Sequence, residues 1–245
     1  MTAMAPAARP ASTVVLCRDG AAGVEVCLQR RPRRMGFAGG LWVFPGGRVD
    51  DADADPSAAA RWTGPPAAAW AARLGLPEAR ARAFVVAACR ETFEEAGVLL
   101  AGAQPPAGEA TAARRALLAG RRGFVVVLGD LGVHLDTALL RYWAWWVTPA
   151  AEPRRYDTRF FVARLPAGAQ VTPHAGEVVE QAWVDDAAGA MLPPTRHTLR
   201  EVLAHDSTAA LLAAGDGREV PRVQPVVDGD EVVLPWGERE RLPRA

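Results

Sequence analysis

The sequence predicts an α/β fold on three observations. Short runs rich in β-branched and aromatic residues, bounded by Gly, Pro and Asp, read as strands at 13–17, 24–28, 41–44, 143–147 and 157–162. Between the third and fourth of these runs, residues 77–97 carry a helical period, with Val85, Cys89, Phe93 and Ala96 on one face and Gly97 where a helix stops. The 245 residues are 50% hydrophobic, enough to bury the core of one domain of ordinary size with an extension.

In order along the chain, residues 1–10 are expected to be flexible. The start shows no charged-then-apolar leader pattern, and no apolar run reaches a membrane span. A turn at 19–23 joins the first two strands. Residues 29–34, Gln-Arg-Arg-Pro-Arg-Arg, form either a solvated loop or an electropositive rim whose Arg forks match phosphate oxygens. The strand at 41–44 runs into Pro45-Gly46-Gly47, a rigid turn where backbone can approach a ligand closely.

Residues 51–76 alternate Asp with Ala, continue through Gly64-Pro65-Pro66, and form a short helix at 67–74 anchored by Trp70. Asp51, Asp53 and Asp55 lack the Gly and terminal Glu of a calcium loop and read as solvated. Pro77 and Glu78 suit the first turn of the main helix. Beyond it come a short strand at 98–100, a loop at 101–109 and helices at 110–120 and 122–130. Trp143, Trp145 and Trp146 read as core packing, and 173–180 as a second acidic loop before Trp183-Val184. Helices at 195–205 and 206–214 are expected to be capped by Thr195 and Asp206. A hairpin of 223–227 and 231–234 turns at Asp228-Gly229-Asp230. No internal repeat is present, and the four His lack metal-ligand spacing.

Formal charge is zero, so no long-range field recruits nucleic acid or membrane. All 28 basic residues are Arg, which reads as GC-rich coding and not as function. Cys17, Cys27 and Cys89, odd in number and without a pairing motif, point to a reducing cytoplasm.

The most informative stretch is Arg90-Glu91-Thr92-Phe93-Glu94-Glu95-Ala96-Gly97-Val98. With Glu91 as zero, Glu95 lies at roughly +40° and Glu94 at roughly −60° around a helix, so the three carboxylates share a face. Such a cluster is either a solvated acidic face or a site for hard divalent cations, which take carboxylate oxygens and relieve the repulsion. Two features favour the metal: Arg90, placed to hold the carboxylate of Glu94, and the Phe44-Pro45-Gly46-Gly47 turn upstream.

This stretch resembles the Nudix hydrolase superfamily. Its box is a Gly, five residues, a Glu, seven residues, then Arg-Glu-apolar-x-Glu-Glu-x-Gly-apolar. Gly47 matches the opening Gly, and residues 90–98 match the second half, with Thr92 at an apolar position. Arg90 stands 43 residues after Gly47, so about 29 residues are inserted within the box. Asp50 and Asp53 are the candidates for the early acid.

The resemblance implies an α/β/α sandwich around a mixed sheet over residues 11–190, with 191–245 as a helical and hairpin extension. It implies hydrolysis of a nucleoside diphosphate derivative with Mg²⁺ (or Mn²⁺) held by Glu91, Glu95 and Glu94. The base is then Glu94, Glu177 or Glu180, and Arg90 orients carboxylates. Substrate contacts fall to Arg30, Arg31, Arg34, Gly46 and Gly47. The partner is a small-molecule nucleotide, with no nucleic acid or membrane, and a homodimer is admitted.

The long insertion, the run at 36–47 and Asp157-Thr158-Arg159-Phe160-Phe161 look like the coenzyme A diphosphatase branch. That implies coenzyme A or acyl-CoA cleaved to 3′,5′-ADP and (acyl-)4′-phosphopantetheine, with Arg30, Arg31, Arg33 and Arg34 meeting the 3′-phosphate. ADP-ribose or dinucleotide hydrolysis is the alternative, and a catalytically inactive nucleotide-sensing module a third reading.

Overall fold

The computed structural model describes residues 5–174, 176–187 and 189–243. In chain order the strands and helices are β1 (Arg9–Asp19), β2 (Val24–Arg30), β3 (Trp42–Val43), β4 (Gly46–Arg48), β5 (Trp62–Thr63), α1 (Ala67–Leu74) and α2 (Glu78–Ala96). There follow α3 (Ala107–Leu118), α4 (Phe124–Asp130), β6 (Leu135–Asp136), β7 (Leu140–Val147), β8 (Tyr156–Arg164), β9 (Glu180–Val184), α5 (Pro193–Leu203) and α6 (Thr208–Gly215). The chain continues with β10 (Arg222–Val223), β11 (Val226–Asp228), β12 (Glu231–Val233) and β13 (Arg239–Arg241). Two short 3₁₀ turns, Asp51–Ala54 and Pro56–Arg61, lead into β5.

The main sheet runs β10-β7-β8-β1-β2-β3, with β4 also on β1 and β9 also on β2. It is mixed: β1 is parallel to β8 and antiparallel to β2 and β4. Side chains alternate across a strand, and β1 shows it directly. Val14 and Leu16 enter one core with Phe84, Phe93 and Phe161 beneath α1 and α2. Val15 and Cys17 enter a second core with Trp143, Phe160 and Leu199 beneath α5 and α6. Helices on both faces of a mixed sheet make the α/β/α sandwich the resemblance implied. Residues beyond 190 supply one whole layer of it, since Leu199, Val202 and Leu211 are fully buried. Among the described residues no helix is long and apolar enough to cross a membrane.

Helix α2 begins after Pro77 and ends at Gly97, left-handed at φ 72°, whose N–H donates to the Phe93 carbonyl. The tryptophans read as core are buried at 143 and 146, while Trp145 lies half-buried under the Arg159 guanidinium, 3.5 Å from its ring centre. Trp70 is fully buried on the edge of Phe161. All three cysteines are free and buried.

Several elements differ from the expectation. Of the segment expected to be flexible, residues 1–4 lie outside the described residues, while Arg9 and Pro10 already belong to β1 and pair with Tyr156 and Asp157. The Gly46-Gly47 turn is strand β4, laid on Thr13 and Ser12. The expected strand at 98–100 does not form: Val98, Leu99 and Leu100 are buried, and among the described residues the ladder contact nearby is an isolated bridge between Ala101 and Leu135. Its β-like composition reflects burial and not pairing.

Thr195 and Asp206 do not cap. Pro193 and Pro194 open α5 after Leu192, and their missing N–H groups need no acceptor there. Ser207 caps α6, accepting from Ala210 N–H at 3.2 Å. The closing hairpin is a three-stranded sheet, β11-β12-β13, and Val223 instead pairs with Trp146 in β10. Asp53 is not solvated at all, being 2% exposed.

Candidate active site: a carboxylate cluster at one end of a cavity

Arg90 is the residue on which the site is assembled. Its Nε and Nη2 donate to the two oxygens of Asp53, both at 2.9 Å. Nη2 also donates to the Arg48 carbonyl at 2.8 Å, and Nη1 to Glu91 Oε1 at 2.8 Å and Glu94 Oε2 at 3.5 Å. Burial alone would weaken its charge, but the Asp53 hydrogen bonds and the charges of Glu91 and Glu94 raise its pKa on balance. A bidentate pair of this kind fixes orientation as well as charge. Asp53 stands six positions after Gly47, which is where the family's box carries its early Glu. That spacing was the signal that separates it from Asp50, whose carboxylate stays 3.7 Å from Arg90 and more than half exposed.

The last carbonyls of α2 are the second device. A helix end leaves such groups without intrahelical partners. Here Glu94 O accepts Nε and Nη2 of Arg114 at 2.9 and 2.7 Å. Glu95 O accepts Gln29 Nε2 and the His174 N–H, and Ala96 O accepts the Thr172 N–H. Arg114 also donates to Thr172 O at 2.7 Å. Together these bonds hold Thr172 and His174 against the end of α2, and the Glu177 N–H donates to the His174 carbonyl in turn. Arg114 and Gln29 carry no local motif, and only the packed fold reveals them.

The third device is β4. A Cβ on Gly46 would lie 2.6 Å from the Ser12 carbonyl, and one on Gly47 2.5 Å from the Glu91 carboxylate. Glycine therefore lets this strand run between β1 and α2. The Gly46 N–H donates to Glu95 Oε2 at 2.9 Å.

Glu95 is pushed up to about 8, chiefly by burial and then by the charge of Glu91, against the pull of the Gly46 N–H and Arg31. Glu91 rises to about 7, again by burial, with Arg90 pulling down and Glu94 pushing up. Glu94 is raised by burial too. Burial and like charge favour the protonated form of these acids, and a further positive charge beside them would favour the ionised one.

Glu91, Glu95, Glu177, Arg31, Gly46 and Gly47 all line one cavity of about 820 Å³. Arg31 is one of its cations, 3.9 Å from Glu95, and its buried Nε has no hydrogen-bond partner. The far wall is apolar, including Trp146, Phe160, Leu192, Val232 and Leu242. Glu94 does not line the cavity. Glu180 sits on β9 paired with Arg30 at 3.0 Å, and Arg34 donates to the Gly176 carbonyl; neither pair lies in the lining. Arg33 packs its stem against Gly40. Ala175, within the acidic loop, lies outside the described residues.

The donor set is all carboxylate oxygen, the chemistry that hard cations such as Mg²⁺ and Mn²⁺ prefer over softer metals. Glu91 and Glu94, paired with Arg90, and Glu95, bonded by the Gly46 N–H, supply the oxygen donors such an ion takes. Among the described residues, the group of three or more whose ligand atoms all lie within 4.8 Å of one another is His197, Glu238 and Glu240, and the three α2 glutamates are not drawn that close. There Glu240 is already paired with Arg196 and His197, bracing β13 on α5.

A family model described as the NUDT19 Nudix domain matches residues 65–191, more than half of the chain. The acyl-coenzyme A diphosphatase NUDT19 of Gallus gallus is 32% identical over 187 residues, covering 60% of this chain and 50% of that protein. The acyl-coenzyme A diphosphatase NUDT19 of Homo sapiens is 31% identical over 211 residues, covering 66% and 54%. The chain thus spans about half the length of these two relatives. A solved NUDIX hydrolase from Alicyclobacillus acidocaldarius superposes with a TM-score of 0.71 at 30% identity, covering 84% of this chain and 96% of that one. The box second half, the Asp53–Arg90 clamp, the sandwich and the family match agree: this chain belongs to the Nudix hydrolase superfamily, in the family of the NUDT19 Nudix domain.

Proposed function

We propose that the protein hydrolyses the diphosphate of coenzyme A or acyl-CoA, with Mg²⁺ or Mn²⁺, to 3′,5′-ADP and (acyl-)4′-phosphopantetheine. The observation that carries this reading is the placement of Glu91 and Glu95, with Arg31, in a cavity whose far wall is apolar. The two relatives named acyl-coenzyme A diphosphatases support the choice of substrate. A diphosphate brings the negative charge, and the non-nucleotide arm brings length and apolar surface for the far wall.

Glu91, Glu95 and Glu94 would hold the divalent ion, which when bound neutralises the diphosphate and polarises water. Arg31, which lines the cavity 3.9 Å from Glu95, offers its guanidinium to a phosphate oxygen. Gly47 keeps the space beside Glu91 free of any side chain. The proton of the attacking water goes to Glu177, the one of the three candidate bases that lines the cavity. Glu94 and Glu180 are weaker choices for the base because they stand outside the lining.

The test is kcat/KM at fixed Mg²⁺ for coenzyme A, an acyl-CoA, ADP-ribose and a dinucleotide. The coenzyme A compounds are expected to lead. A lead for ADP-ribose or the dinucleotide assigns the alternative substrate, and no turnover of any of them assigns a sensing module.

A further inference from the structure

We propose that a second pocket, beside the carboxylate cavity, takes the 3′-phosphate of the substrate's nucleotide half. This rests on the coenzyme A reading above and names the group that would distinguish that substrate from other diphosphates. The pocket has a volume of about 460 Å³, and half of its eight lining residues are arginines: Arg9, Arg48, Arg154 and Arg155. It is continuous with the catalytic cavity, sharing Arg48, Pro153, Arg154 and Tyr156 with it. Arg48 follows Gly47, the residue that touches the Glu91 carboxylate, so the pocket adjoins the reacting end.

Its charge is uncompensated. Among the described residues no carboxylate pairs with any of these four arginines, whereas Arg30 and Arg164 on neighbouring strands each have an acid within 4.0 Å. Four guanidinium groups around one concavity repel each other, and a dianion between them relieves that repulsion while offering acceptors to their planar forks.

The walls are also fixed in advance. Arg155 donates Nε to the Thr148 and Pro149 carbonyls and Nη1 to the Pro6 carbonyl. The Arg9 N–H donates to the Arg155 carbonyl at 2.9 Å. These bonds tie the β7–β8 loop to the segment entering β1, leaving the Arg9, Arg48 and Arg154 side chains for a ligand. The position differs from the sequence expectation, which gave the 3′-phosphate to the run at 30–34. In the fold Arg30 faces Glu180, Arg34 faces the Gly176 carbonyl, and Arg31 faces Glu95.

The experiment compares kcat/KM for coenzyme A and 3′-dephospho-coenzyme A in the wild type, Arg9→Glu and Arg154→Ala at one Mg²⁺ concentration. Arg9 lies at the start of β1 and Arg154 on the β7–β8 loop, so a folding defect in one leaves the other informative. The wild-type ratio is expected to be about tenfold or more in favour of coenzyme A, the size of one good charge-assisted contact. Both variants should draw that ratio toward one. Coenzyme A cleaved with a wild-type ratio near one, or with a ratio unmoved in both folded variants, overturns this pocket alone. A wild type that turns over ADP-ribose and neither coenzyme A compound overturns the substrate reading and the pocket with it.

Discussion

Arg90 is 8% exposed and faces four acids, Asp50, Asp53, Glu91 and Glu94, which are unequal in what they do. Asp53 supplies both oxygens and is itself buried, so Asp53→Ala leaves a buried guanidinium without its main counter-charge. Breaking a buried pair in this way costs about 3–5 kcal/mol, and the urea midpoint is expected to fall accordingly. Glu95→Gln behaves in the opposite sense. It removes a charge that burial already disfavours, so the fold is expected to hold while turnover drops at least about tenfold at saturating Mg²⁺. Wild-type turnover in that variant would remove Glu95 from the metal-binding set.

The same two carboxylates set a pH dependence. Glu91 and Glu95 have folded pKa values of about 7 and about 8, above an ordinary glutamate near about 4.3. Between those limits the folded chain holds more protons than the unfolded one, so metal-free stability falls as pH rises and levels off above about 8. Thermal midpoints of the metal-free protein from pH 5 to 9 test this. Glu95→Gln should flatten the slope, and added Mg²⁺ should stabilise more at pH 8 than at pH 5. A metal-free midpoint that rises with pH across this window would contradict the sign.

At the scale of elements, the insertion is a buttress and not a surface loop. It folds as two 3₁₀ turns, β5 and α1, and puts Trp70 fully inside the first core. Trp70→Ala is expected to lose about 3–5 kcal/mol. Trp70→Phe should lose markedly less, because it also removes an indole N–H that has no partner. Equal losses in chemical denaturation would mean that the ring's volume is not what matters.

The elements show which parts of the fold were legible in the sequence. Helix α2 and its glycine stop were readable because their signals lie within a few residues of each other. The α5 cap was misread because Thr195 follows two prolines that already satisfy the helix start. The role of Asp53 was half-visible, through its spacing from Gly47, while its partner lay 37 residues on. The arginine pocket was invisible: Arg9, Arg48 and Arg154 are far apart in the chain. They converge because Ala11 pairs with both Arg48 and Thr158 across β1.

In the whole molecule, the cavity floor crosses the sheet from β4 through β1 and β8 to β7. Gly46 pairs with Thr13, Thr13 with Phe160, and Trp146 with Thr158. Three strand spacings give it a length of about 14 Å. At the β7 end the far wall comes from Val232 and Leu242, in a sheet anchored by Glu240 to Arg196 and His197. Glu240→Ala is expected to loosen this wall and raise KM for an acyl-CoA with kcat little changed, because the lost contacts are made equally in ground and transition states. A fall in kcat at constant KM would place the sheet's effect on the reacting groups instead.

The separation of Asp53 from Arg90 also has a meaning in time. With 37 residues between them and synthesis running at about 5–20 residues per second, the acid leaves the ribosome roughly 2–7 s before the base. During that interval Asp53 is an ordinary solvated carboxylate, and nothing is lost by its waiting. When Arg90 follows, in the helix that must bury it, the counter-ion is already there, so the nascent chain never has to bury that guanidinium alone.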